Sequence, residues 1–360
     1  MDILVLEGDG IGREITTATT RILAQVSDNF ALGLKFRSMP IGFAALEKCG
    51  TTFPPDTLAA ARAVDGTILG PVSHNDYPPV AKGGTNPSGA MRIGLDLYAN
   101  IRPARTRPGF APPCGKPLDL VIVRENTEGF YSDRSMFLGP GEMMPTPDLA
   151  LSFRKITRLG STRIVEAAFA LARREGRRKV TAVHKANVLR VSDGLFLECA
   201  RTVASKFPDI AYDEKIVDAM AALLVRDASQ FDVIVTTNMF GDILSDQASE
   251  LSGSLGLAAS INAGDAHAVA QAQHGSAPEI AGKDLANPSS LIGSAAMLLG
   301  WLGQRHHLEA LGQAAAVIEK ALDDTIAAPA NRTRDLGGVL GTIAFTDAVL
   351  ARLPPRTKSS

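Results

Sequence analysis

The sequence has no surplus of charge of one sign: 37 Lys and Arg stand against 38 Asp and Glu, a formal net charge of −1. So balanced a chain has no global field to recruit nucleic acid or an anionic membrane, and any charge chemistry must be local. Cysteine is scarce too. Cys49, Cys114 and Cys199 lie far apart, form no C-x-x-C pair and are odd in number, which suits ordinary thiols in a reducing cytosol better than a chelate or a disulfide framework. The opening M-D-I-L-V-L-E-G-D-G is acidic where a leader would be basic, and its apolar run is too short for one. The most apolar helical stretch, Leu291 to Leu302, is broken by Gly293, Ser294 and Gly300 and is too short to span a bilayer. A soluble, cytoplasmic protein with neither nucleic-acid nor membrane partners is expected.

What is present reads as layered α/β. At 360 residues the chain exceeds the usual size of one domain, so two are expected. Short apolar runs at 3–6, 66–70, 118–123, 179–183 and 231–236 read as buried strands, and they alternate with helical patterns at 15–26, 162–175 and 195–204. Gly139 to Asp148, G-P-G-E-M-M-P-T-P-D, is too rich in Pro and Gly for a helix or core strand and reads as an arm or loop.

Between the first strand and the first helix, E-G-D-G-I-G-R-E sits where a dinucleotide-binding turn would, but its spacing fails. Gly8, Gly10 and Gly12 give G-x-G-x-G, while the fingerprint needs its third glycine at the position of Arg13. A plain tight turn is the better reading, and any nucleotide must be held elsewhere.

Two aspartates raise the question of a metal. In T-T-N-M-F-G-D-I-L-S-D-Q, a helix starting near Asn238 and Gly241 is expected to carry Asp242 and Asp246 in its first turn, their i, i+4 spacing placing both on one face. Helix capping accounts for one of them. The second repels the first unless a cation lies between, and oxygen-only ligands favour Mg²⁺ or Mn²⁺ over Zn²⁺. Asp218 in V-D-A-M, taken alone, is a surface acid. Arg92, Arg102 and Arg124 fall at ends of predicted elements, and three converging guanidiniums would suit a di- or tricarboxylate, although each singly fits a structural ion pair. Tyr131 and Lys185 follow predicted strands; a lysine near other cations has a lowered pKa and suits proton transfer. His184 reads as packed or hydrogen-bonded.

Together these segments resemble the β-decarboxylating dehydrogenases that act on isocitrate, 3-isopropylmalate, homoisocitrate, tartrate and D-malate. The matching stretches are G-D-G-I-G (8–12), L-Y-A-N-I-R-P (97–103), V-R-E-N-T-E-G-F-Y (123–131), V-H-K-A-N-V-L (183–189), V-D-A-M (217–220), N-M-F-G-D-I-L-S-D (238–246), H-G-S-A-P-E-I-A-G-K (274–283) and T-R-D-L-G-G (333–338), in family order. The resemblance implies a two-domain α/β fold that is not a Rossmann fold, with mixed sheets flanked by helices. Residues 1–98 and 252–360 would form a large nucleotide-binding domain and 99–251 a smaller dimerising domain with an arm at about 132–155, the active site lying in the cleft between them. It implies that Arg92, Arg102 and Arg124 hold the malate carboxylates, that Tyr131 and Lys185 move protons, and that Asp218, Asp242 and Asp246 ligate Mg²⁺ or Mn²⁺. Lys185 and Asp218 would complete the neighbouring subunit's site in a homodimer.

For the cofactor, the resemblance points to His274, Gly275, Ser276, Ala277, Glu279 and Ile280, with Asn287 beyond. Glu279 and Ile280 suit the ribose hydroxyls of NAD, whereas NADP-using relatives carry Lys-Tyr there. The implied reaction is NAD-dependent oxidative decarboxylation of a 3-substituted malate to the 2-oxo acid, CO₂ and NADH. The C3 substituent would face the residues before Arg92, where isopropylmalate enzymes place leucines to bury an isopropyl group, worth roughly 1.5–3 kcal/mol. Here stand Asn86, Ser88 and Gly89, small and polar, which favours isocitrate or homoisocitrate. The alternatives are 3-isopropylmalate, then tartrate or D-malate, and, outside enzymes, a regulatory isocitrate dehydrogenase subunit.

Overall fold

A computed structural model of the chain describes residues 1–131, 136 and 141–355. Among them the strands are β1 (Asp2–Leu6), β2 (Lys35–Met39), β3 (Gly66–Leu69), β4 (Ala99–Arg105), β5 (Asp119–Glu125), β6 (Glu142–Thr146), β7 (Leu149–Ser152), β8 (Lys179–His184), β9 (Ala211–Ile216), β10 (Val233–Thr236), β11 (Ile261–Ala263) and β12 (Ala268–Gln271). The α-helices are α1 (Gly12–Asn29), α2 (Gly42–Cys49), α3 (Pro55–Ala63), α4 (Pro87–Gly94), α5 (Arg158–Arg174), α6 (Ser192–Ala204), α7 (Val217–Asp227), α8 (Asn238–Ser252), α9 (Ser289–His306), α10 (Glu309–Ala327) and α11 (Thr342–Leu350).

Ten strands join in one mixed sheet, in the order β2-β1-β3-β12-β11-β4-β5-β10-β8-β9. Its two flanks, β2-β1-β3-β12 and β5-β10-β8-β9, are parallel. They meet through an antiparallel centre, β12-β11-β4-β5. This is the expected α/β class with helices on both faces of a mixed sheet, and its antiparallel centre separates it from a parallel, doubly wound Rossmann sheet.

The strand sequences follow from which faces are covered. In β1, Ile3 and Val5 pack into one hydrophobic cluster with α1 and α9, and Leu4 and Leu6 into another with Ile41, Met91 and Leu95. In β5, Val121 and Val123 face α5, while Leu120 and Ile122 face α7 and α8. A strand buried on both faces is largely apolar, which is why β1, β3, β5, β8 and β10 are legible as short apolar runs, interrupted only by small buried residues such as Thr67 and Thr181. Leu291 to Leu302 proves to be the interior of α9, buried around most of its circumference. Among the described residues no helix is long and apolar enough to cross a membrane, and all three cysteines are free.

Gly139 and Pro140 lie outside the described residues, but the rest of the segment read as an arm or loop is an antiparallel hairpin. Both β6 and β7 are exposed along their whole length. The pairing shifts register between Met143 and Thr146, where Pro145 has no N–H to give.

Candidate active site

A cleft of about 230 Å³ opens over the antiparallel centre of the sheet. Its wall takes Pro71 and Val72 from beyond β3, Gln271 to Gly275 from the end of β12, Asn86, Ser88 and Arg92 from α4, Arg102 from β4, Arg124 from β5, Tyr131, and Asp242 from α8. The three expected arginines, the tyrosine, one of the three aspartates and the two small polar residues are thus brought together. Helix α4 begins where Asn86 caps it, accepting from the Gly89 N–H (3.2 Å), with Pro87 in the first turn. That cap fixes Ser88 and Arg92 on the cleft side.

The arginines and carboxylates form one network. Arg124, 1% exposed, donates from Nε to the Asn238 carbonyl (2.9 Å), from Nη2 to Asn238 Oδ1 (2.6 Å) and from Nη1 to Asp242 Oδ1. Arg102 Nη1 lies 3.1 Å from Asp242 Oδ1 and 3.2 Å from Asp246 Oδ1, and also donates to Ser245 Oγ (2.7 Å). The Tyr131 hydroxyl donates to Asp242 Oδ2 (3.2 Å). Burial, reinforced by the neighbouring Arg124, pushes the Arg102 guanidinium down to about 10. Burial acts to raise the Asp242 carboxyl, but Arg124, Arg102 and Arg92 outweigh it and hold that carboxyl below its ordinary value.

Two expectations need correction. Helix α8 begins at Asn238, so Asp242 lies beyond its first turn and the capping explanation fails. Its charge is held by arginines instead. Arg102 was expected at the end of an element but sits inside β4, where its partner strands leave it 7% exposed.

Lys185 and Asp218 do not line the cleft. Lys185 follows β8, Asp218 stands in the first turn of α7, and the two form an ion pair with each other. Among the described residues no three His, Cys, Asp or Glu side chains gather as a metal-binding group. Within this chain Asp242 and Asp246 both pair with Arg102, Asp242 pairs with Arg124 as well, and the third expected ligand, Asp218, lies elsewhere. The all-oxygen pair has the chemistry a hard divalent ion requires. His184 is buried, its Nδ1 accepts from the Ala186 N–H (3.0 Å), and burial lowers its pKa, so it is a packed, neutral histidine.

The failed fingerprint has a structural purpose. Gly10 has φ +54°, and a Cβ there would stand 2.0 Å from the Ser276 carbonyl oxygen, which accepts from the Ile11 N–H (2.8 Å). Ser276 Oγ also bonds Ser73 Oγ (2.7 Å). The buried Asp9 carboxylate accepts from the Phe43 and Ser73 N–H groups and from the Tyr77 hydroxyl, which pins the turn to both neighbours. The glycine turn is thus a buttress for the segment expected to hold the cofactor.

In that segment His274 and Gly275 line the cleft. The His274 Nδ1 donates to the Gly275 carbonyl (2.9 Å), burial lowers its pKa, and its Nε2 is buried with no hydrogen-bond partner. An acceptor left without a partner on a cleft-lining side chain suits a ligand group that can donate to it. Ala277 turns the chain at φ +39° into the short turn Pro278–Ile280, which leaves Glu279 exposed. Asn287 is occupied within the protein, donating to Asp335 Oδ2 (2.9 Å) and accepting from the Ser289 N–H (3.0 Å).

Several cleft residues carried no signal in the sequence: His74, Ser260, Gln271 and Gln273. Gln273 donates to Asp246 Oδ1 (2.8 Å) and Gln271 accepts from Ser88 Oγ (3.0 Å). Both stand within three residues of His274, so extending the cofactor segment toward its amino-terminal side would have found them.

Comparison with known proteins bears on all of this. Residues 2–349 match the family model described as isocitrate/isopropylmalate dehydrogenase. The 3-isopropylmalate dehydrogenase of Methanothermobacter thermautotrophicus is 41% identical over 98% of this chain and 98% of its own. The isocitrate/homoisocitrate dehydrogenase of Thermus thermophilus is 42% identical over the same shares. Among solved structures, isocitrate dehydrogenase from Methylococcus capsulatus aligns with a TM-score of 0.86 and 39% identity, covering 98% of this chain and 99% of that one. Relatives with different substrates stand at nearly equal identity.

Proposed function

The chain belongs to the isocitrate/isopropylmalate dehydrogenase family, whose reaction is the oxidative decarboxylation of a hydroxy acid, and on that premise we propose that its substrate is a malate with a polar C3 substituent, isocitrate or homoisocitrate. The observation that carries the choice is the cleft wall beside Arg92. It is built from Asn86, Ser88 and Gln271; among the described residues the cleft's aliphatic lining is Pro71, Val72 and Ala272, with no Leu, Ile, Phe or Met. An isopropyl group would gain little there of the roughly 1.5–3 kcal/mol that a fully apolar pocket returns.

In this reading Arg92, Arg102 and Arg124 clamp the two malate carboxylates, and Asn86 and Ser88 lie beside the C3 substituent. The burial of Arg102 and Arg124 lowers the local dielectric and so strengthens the clamp. Bound NAD would supply the hydride acceptor for C2, and bound Mg²⁺ or Mn²⁺ would supply Lewis acidity at the C2 oxygen. Asp242 and Asp246 would hold the metal, with Asp218 supplied by the neighbouring chain of a homodimer. His274 to Ile280 would hold the cofactor, with Asn287 positioned behind it by Asp335. Lys185 of the neighbouring chain takes the C2 hydroxyl proton, and Tyr131 delivers a proton to C3 after CO₂ has left its electron pair there. The hydrogen bond to Asp242 holds the Tyr131 hydroxyl at the cleft, and its proton would have to turn from that carboxylate to reach C3.

The test is NADH formation with Mn²⁺ across isocitrate, homoisocitrate, 3-isopropylmalate, D-malate and tartrate. The highest kcat/KM is expected for isocitrate or homoisocitrate, and a maximum at 3-isopropylmalate would reject the substrate assignment. A purified chain that turned over none of the five would favour a regulatory role.

A further inference from the structure

Behind the C3 side of the cleft, three side-chain amides form a chain. Asn126 Nδ2 donates to the Leu97 carbonyl (2.9 Å) and to Asn262 Oδ1 (3.0 Å). Asn262 Nδ2 donates to Gln271 Oε1 (3.3 Å), and the Ser88 hydroxyl donates to the same oxygen (3.0 Å). All four side chains are buried. The direction of an amide is set by its network, and this network ends on a group with no choice. A backbone carbonyl can only accept, so Asn126 must turn its NH₂ toward Leu97. Asn262 must then meet Asn126 with its oxygen and Gln271 with its nitrogen, and Gln271 must present its oxygen inward. Reversing any single amide would set two NH₂ groups, or two oxygens, face to face out of reach of water. The fold even leaves Asn126 Oδ1 buried without a partner rather than reverse the chain.

Two consequences reach the cleft. The Ser88 proton is committed to Gln271, so Ser88 offers the cleft a lone pair and no donor. Gln271 itself lines the cleft, and its Nε2 bonds none of the described residues, so its NH₂ is left for whatever the cleft holds.

We propose that Gln271 is the residue that recognises the substrate's C3 substituent, its NH₂ donating to a distal carboxylate while the Asn126–Asn262 relay holds it in that sense. This rests on the substrate reading above and deepens it. A neutral amide can donate to a carboxylate without like-charge repulsion, and nothing in an isopropyl group can use the donor.

Gln271→Glu is the direct test. A glutamate accepts from Asn262 and Ser88 as the glutamine does, so the relay survives and only the cleft-facing NH₂ becomes an oxygen. The ratio of kcat/KM for isocitrate to that for D-malate, which carries only hydrogen at C3, is expected to fall roughly tenfold or more, mainly through KM. Asn262→Asp, at a residue that does not line the cleft, turns an acceptor toward Gln271 and so turns its oxygen outward; the same ratio should fall. Gln271→Met removes the donor without burying a charge and guards against a variant that fails to fold. For a compound that is not turned over, the ratio is read from its Ki against the one that is. A merely structural role would lower all substrates together. Ratios within about twofold of the parent in every folded variant overturn the proposal. If the parent prefers 3-isopropylmalate, the substrate assignment fails separately, while the effect of Gln271→Glu on the isocitrate to D-malate ratio still reports on Gln271.

Discussion

Replacing Gly10 by alanine tests whether the glycine turn truly buttresses the cofactor segment. Two costs can be worked out. At φ +54° a Cβ crowds the following carbonyl, a penalty of about 1–2 kcal/mol. That Cβ would also stand 2.0 Å from the Ser276 oxygen, so one side of the contact must retreat by about 1.5 Å to reach ordinary van der Waals distance. Retreat breaks the Ile11 N–H to Ser276 bond, and with it a net contribution of about 1 kcal/mol, and strains the Ser73 to Ser276 bond as well. A total of about 2–4 kcal/mol is expected from urea denaturation of the protein without ligand. Because Ser276 is displaced together with His274 and Gly275, KM for NAD should rise more than kcat falls. Gly275→Ala is the control for stability: its Cβ would meet nothing within 4 Å and its φ is ordinary, so unfolding should shift by less than about 0.5 kcal/mol. A Gly10→Ala protein with unchanged midpoint and unchanged KM for NAD would refute the coupling between the two loops.

Asp242→Asn leaves Arg124 and Arg102 buried without their shared counter-charge, and should cost about 2–4 kcal/mol in thermal or urea unfolding, the lower end reflecting partial solvent access. Asp246→Asn, at a more exposed carboxylate, should cost less than about 1 kcal/mol, and equal losses would contradict the network as described. The acid limb follows from the sign of the Asp242 shift. Its carboxyl titrates below the ordinary value of about 4, so its contribution is complete above that pH and is lost as pH falls through the lowered value. Stability measured between pH 5 and pH 2, a window of about three units chosen around that value, should therefore fall less steeply in Asp242→Asn than in the parent. For the cofactor, Glu279→Lys with Ile280→Tyr should raise the use of NADP relative to NAD, and an unchanged ratio of kcat/KM would sink the assignment of that turn to the ribose.

How much of this was legible in the sequence depended on which physical signal each part leaves. Strands covered on both faces, such as β1 and β5, leave apolar runs and were read with nearly their observed bounds. The antiparallel centre leaves none. β11 has three residues, and β4 interleaves Asn100, Arg102 and Pro103 with its apolar positions, so Arg102 looked like the end of an element. Asp242 misled for a related reason: with the start read only as near Asn238 and Gly241, Asp242 was placed in the first turn, whereas α8 begins at Asn238, whose side chain is bonded to Arg124. The pairing of Lys185 with Asp218 joins residues far apart in sequence and has no periodic trace. Gln271 was missed because an amide has no titration and no metal preference, and only its neighbours give it a direction.

The polar centre of the sheet is where fold and chemistry meet. The two parallel flanks run in opposite senses, and the reversal falls across β12, β11, β4 and β5. In this centre Asn100 and Arg102 of β4, Asn262 of β11 and Gln271 of β12 occupy buried positions of the kind that β1 and β5 give largely to aliphatic side chains. Buried polar groups of this kind are costly unless each finds a partner. Arg102 finds Asn100 and Ser245, and Asn262 finds Asn126 and Gln271. Once paired they cannot easily turn, which makes the centre rigid in the sense a binding wall requires. The same requirement that satisfies the backbone carbonyl of Leu97 therefore decides, three side chains later, that the cleft is shown an NH₂ group and not an oxygen.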